Sequence, residues 1–131
     1  MDRIVTTLFR GRKYALNYSV EVMFEVNERH GSLQAVFDLI GRDDKEGFEA
    51  IRWLFVRLAN DGELVRRAQG YDHGVFLEEG DITLQMPPYE YMDMKNAVVE
   101  AINRAYVRET DADDGEIDVG LQELKKTRIR D

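Results

Sequence analysis

Residues able to do covalent or acid–base chemistry are few in this chain. It contains no cysteine, which removes disulfides, thiol catalysis and every Cys-based zinc site. Its serines are Ser19 and Ser32. Each stands directly before an apolar-periodic run, where a hydroxyl is wanted to cap a helix rather than to attack a substrate. Of the two histidines, His30 falls at an expected helix C-terminus, where partial positive charge is favourable. His73 sits in a glycine-rich stretch beside Asp72, a pairing that could ligate a metal or move protons but is far more often a surface loop residue. Carboxylates number 26 in 131 residues, so some pair will always resemble a general acid and base, and such pairs carry no information without geometry. The run Asp111-Ala112-Asp113-Asp114-Gly115-Glu116 invites a calcium reading. It fails on register, because a loop starting at Asp111 needs an oxygen ligand at 115 and glycine at 116. No G-x-G-x-x-G, P-loop, H-E-x-x-H or nucleophile elbow is present. The residues therefore point away from an enzyme, with no catalytic residue, metal site or cofactor implied.

The elements around them suit one domain. A chain of 131 residues with 44% hydrophobic composition is too short for two ordinary domains and rich enough for a real core. Its 18 basic and 26 acidic residues leave a net charge of −8, which repels nucleic-acid phosphates and anionic lipid heads. Nothing approaches an eighteen-residue apolar span, and the first residues, Met1-Asp2-Arg3-Ile4, lack a signal-peptide run. The expectation is a cytosolic protein that binds neither nucleic acid nor membrane.

Residues 4–9 and 14–18 read as two strands joined through Arg10-Gly11-Arg12-Lys13, a β-hairpin signal. Ser19 should cap a helix that runs to His30 and ends at Gly31, and Ser32 one that runs to Ile40 and stops at Gly41. Asp43 and Glu46 have capping-box spacing. The helix they open carries Phe48, Ile51, Leu54, Phe55 and Leu58, and Asn60-Asp61-Gly62 should end it. Residues 63–69 then read as one or two further helical turns, 70–80 as a loop, and 82–86 as a segment open between extended and irregular structure. Pro87-Pro88 starts a last long helix carrying Tyr91, Met94, Val98, Ala101, Ile102 and Ala105. The fold expected is mainly α, a small helical domain over 1–108 with an N-terminal β-hairpin. A flexible tail should follow over 109–131: six acidic side chains in 109–118, then four basic against two acidic in 119–131.

Periodicity sets Ile51, Leu54, Phe55 and Leu58 against a Val20-Met23-Phe24 face and a Val98-Ile102 face. Off those stripes lie Trp53, Val56, Val22 and Val26. Either their helices are buried on two sides, or these four form a partner-binding patch. The patch is the expectation carried forward as a candidate site.

The first half also has the shape of a known pattern. A hairpin with a glycine turn and Lys-Tyr-x-Leu (residues 11–16) leads into Val-x-x-Met-x-x-Val-Asn-Glu-x-x-Gly (20–31). A short helix follows (33–40), then an Ala-Ile-x-Trp-Leu-Phe-x-x-Leu-Ala helix (50–59). The ending Ile117-Asp118-Val119-Gly120-Leu121-Gln122-Glu123-Leu124-Lys125-Lys126 belongs to the same likeness. In these segments the chain resembles the tail assembly chaperones of long-tailed bacteriophages and prophages. That resemblance implies a mostly helical, non-enzymatic protein that binds the phage tape-measure protein, helps recruit tail-tube protein, and acts in the bacterial host cytoplasm before leaving the finished virion. It also implies a longer companion product made by frameshifting near the Lys125-Lys126 codons. Self-association is compatible with it. An acidic adaptor or regulatory domain, of antirepressor or antitoxin type, is the alternative.

Overall fold

The computed structural model describes residues 3–107, so the acidic run, the Lys125-Lys126 pair and the expected tail over 109–131 lie outside the described residues. Two strands, β1 (Val5–Phe9) and β2 (Arg12–Leu16), form an antiparallel hairpin in which Val5 faces Leu16 and Phe9 faces Arg12. Its two-residue turn takes positive φ at both Arg10 (53°) and Gly11 (78°). That backbone matches the right-handed twist of the flanking strands. Alternation then sends Val5, Phe9 and Leu16 into the core, while Thr6, Leu8 and Lys13 point outward.

Among the described residues four helices follow: α1 (Val20–His30), α2 (Leu33–Ile40), α3 (Lys45–Ala68) and α4 (Pro88–Ala105), with one 3-10 turn at Glu79–Asp81. The expected mainly α fold with an N-terminal hairpin is the one observed. The capping chemistry explains the helix starts. Ser19 Oγ accepts the Val22 N–H and Ser32 Oγ that of Ala35, and Gly31 ends α1 at φ 91°. Gly41 closes α2 as expected, with a right-handed φ of −75°. One expectation shifts: Asp44, one residue beyond Asp43, caps α3 by accepting the Gly47 N–H at 2.9 Å.

A larger correction concerns α3, which runs unbroken through Asn60-Asp61-Gly62 for 24 residues. Local propensity favours a stop there, but each of these residues is committed to a tertiary contact. Asp61 Oδ2 accepts the buried Asn17 side-chain amide at 2.7 Å. The Asn17 backbone N–H is in turn donated to Leu58 O at 3.1 Å, splicing the end of β2 onto the helix. Gly62 lets β2 come close, since a Cβ at that position would sit 1.9 Å from Ala15 O. Asn60 donates to Leu77 O at 2.9 Å and accepts the Leu77 N–H at 2.8 Å. A glycine inside a helix costs about 1 kcal/mol, and here the close approach of the sheet offsets it.

The core is one contiguous cluster. Phe55 lies at its centre, edge-on to Phe9 (5.7 Å between ring centroids) and to Tyr14 (6.2 Å). Ile51, Leu54 and Leu58 surround it, with Val98, Ala101 and Ile102 of α4 beyond. Leu77 and Ile82 are also buried, so the segment between α3 and α4, irregular apart from its 3-10 turn, packs against the domain; 82–86 is not a strand.

Candidate functional site

The structure reverses the expected phase of α1. Val22 and Val26 are fully enclosed, while Val20 is 61% and Phe24 59% exposed. Trp53 is 8% exposed and Val56 is buried as well. None of the four residues expected to form a partner patch is therefore surface, and all four belong to the core. Their neighbours give the reason. At 100° per residue, Glu25 and Arg29 lie on the same side of α1 as Val22 and Val26. Both are spent on α3. Arg57 forks onto Glu25 with Nε–Oε1 at 2.7 Å and Nη2–Oε2 at 3.0 Å, and the Arg29 guanidinium lies 4.6 Å over the Trp53 ring. His30 meets the same indole edge-on at 6.1 Å. Polar residues thus fasten the buried side, and Val20 and Phe24 are left facing outward one turn apart.

The electrostatics agree with this docking. The hydrogen bond from Arg57 holds the Glu25 carboxyl below its ordinary range, and Arg57 is raised in turn. Burial, with Arg29 beside it, lowers His30. On the outward side the carboxylates are less committed. Glu21 and Glu28 are exposed, and neither makes a close ion pair among the described residues, although the charge of Glu21 also acts on Arg57. The first helix therefore presents Val20 and Phe24 with exposed carboxylates along one flank.

A second feature lies beneath the hairpin. Thr6, Arg12, Lys13, Arg66 and Gly74 line a cleft of about 310 Å³ with Glu63 in its wall. The Glu63 side chain is only 8% exposed. Burial pushes its carboxyl up, but donors from Arg67, Gly74 and Arg66 outweigh this and leave it lowered. Arg66 Nη1 is 2.7 Å and Arg67 Nε 2.9 Å from its oxygens, and the Gly74 N–H completes the set. Glu63 is thus a saturated structural anchor for the loop after α3.

The chemistry-bearing residues are dispersed. Ser19 and Ser32 are caps and His73 is exposed in the loop. Among the described residues no three histidine, aspartate or glutamate side chains gather to hold a metal ion. No helix among them is long and apolar enough to cross a membrane. No family model, curated protein or solved structure matches the chain.

Proposed function

We propose that the chain is a non-enzymatic phage tail assembly chaperone that binds the tape-measure protein, promotes tail-tube assembly in the host cytoplasm and is absent from the finished virion. The observation that carries the reading is α1, a helix locked into the core on one side that leaves a valine and a phenylalanine open on the other. Keeping a long apolar helix dispersed needs such a face on a highly charged body and needs no catalytic apparatus. The sequence likeness described above supplies the identity of the client. Co-expression with a helical fragment of a tape-measure protein from the same genome should keep that fragment in the soluble fraction and co-purify it. Recovery of a repressor or toxin instead would favour the acidic adaptor reading. A gene neighbourhood without tail-tube and tape-measure genes would count against the chaperone.

A further inference from the structure

The outward face of α1 carries more than hydrophobicity. Val20 and Phe24 are spaced by one helical turn, the spacing at which two side chains form a ridge that a second helix can pack against. A phenylalanine with 59% of its surface in water, one turn from an exposed valine, offers apolar area whose burial by a partner would be favourable. The charges beside it select what that can be. Glu28 and Glu21 lie on the next arc of the helix, exposed and in no close ion pair among the described residues, whereas Glu25 is held by Arg57 at 2.7 Å; Glu21 adds only its field to Arg57. Met23 and Asn27 border the other side, so the flank is acidic on one edge only. A second copy of this chain would bring another acidic α1 and another net charge of −8 against these carboxylates, which opposes self-pairing through this face.

We infer that the outer face of α1 is a docking site for a cationic amphipathic helix, with Val20 and Phe24 covering its apolar stripe and Glu21 and Glu28 pairing with lysines or arginines along one edge. This rests on the reading that the protein binds a helical client and adds which surface is used and what charge pattern it selects. Docked in this way, the two carboxylates are partly desolvated against opposite charge. They then contribute mainly to choice of partner and to association rate, while Phe24 contributes most to affinity.

The test uses the full chain and two synthetic amphipathic helices with the same leucine stripe, one flanked by lysines and one by glutamates. The lysine peptide should bind roughly tenfold or more tightly than the glutamate peptide, with affinity falling as salt is raised. Phe24→Ser should abolish most of that binding while the melting temperature stays within a few degrees, because Phe24 is outside the core. Glu21→Lys combined with Glu28→Lys should invert the preference between peptides, a result that general stickiness could not give. Leu8→Ser, at an equally open apolar residue on the hairpin, should change nothing. Equal binding of both peptides, or equal losses in the Phe24 and Leu8 variants, would overturn the assignment. So would a dimer of the wild-type chain that Phe24→Ser dissolves. Selective capture of the lysine peptide without capture of tape-measure protein would leave this site standing and remove the chaperone reading. Undiminished capture of tape-measure protein by Phe24→Ser would do the reverse.

Discussion

A single methyl group at position 62 tests the junction between α3 and the hairpin. Glycine-to-alanine changes inside helices ordinarily stabilise by up to about 1 kcal/mol. Here the added Cβ meets Ala15 O and its carbonyl carbon, so Gly62→Ala should instead destabilise by roughly 1–3 kcal/mol through overpacking, as measured by denaturant unfolding. Next to it, Asp61→Ala leaves the buried Asn17 amide without its acceptor. The expected loss is about 1–3 kcal/mol, and Asn17→Ala combined with Asp61→Ala should cost less than the sum of the single changes. Phe55→Ala removes the hub of the aromatic trio and should cost roughly 3–5 kcal/mol. Neither the polar commitments of Asn60 and Asp61 nor the close approach at Gly62 was legible in the sequence. The same three residues spell a turn in any context where they have no distant partner.

Helix starts were the readable part of the elements. Ser19, Ser32 and Pro87-Pro88 act through neighbours within one turn, and that chemistry is visible in a linear string. The phase of α1 was not readable. Val20 and Phe24 form one apolar stripe and Val22 and Val26 another, and periodicity ranks them nearly equally. What decides between them is long-range: Arg57, 32 positions from Glu25, and Trp53 beneath Arg29. The candidate patch was misplaced for the same reason, since Trp53 and Val56 complete a helix buried over a wide arc. Trp53→Ala should therefore act on stability, lowering it by roughly 3–5 kcal/mol. If it weakened peptide binding while leaving the melting temperature unchanged, the assignment of Trp53 to the core would be wrong.

At the scale of the whole molecule, the shifted carboxyls and the shifted imidazole all act in one direction below neutral pH. Glu25 and Glu63 have carboxyls held below the ordinary value of 4.5. The stability they contribute is complete above that value and is lost as pH falls through the lowered folded values. His30 adds to this in the same direction. Its imidazole is pushed below 6.5, so the unfolded chain takes up the proton more readily, and stability declines as pH drops below that ordinary value. Thermal melts should show a decline beginning near pH 6.5 and steepening under about pH 4.5. His30→Gln should flatten the upper part of that decline and Glu63→Gln the lower part, whatever each does to stability at neutral pH.

The double hydrogen bond between Asn60 and Leu77 makes a side chain act as a neighbouring strand for one residue of an otherwise irregular segment. Its consequence is kinetic. The Leu77 amide hydrogen is held by a side chain on the central helix, so it can exchange with solvent only when that side chain lets go. In heavy water it should exchange far more slowly than those of Asp72 and His73, a few residues earlier, which lie exposed in the loop. Asn60→Ala should bring the Leu77 amide up to the rate of its neighbours, because the Asn60 side-chain carbonyl oxygen is its acceptor, which makes this one slow proton in a loop a direct reporter of the clasp between the loop and α3.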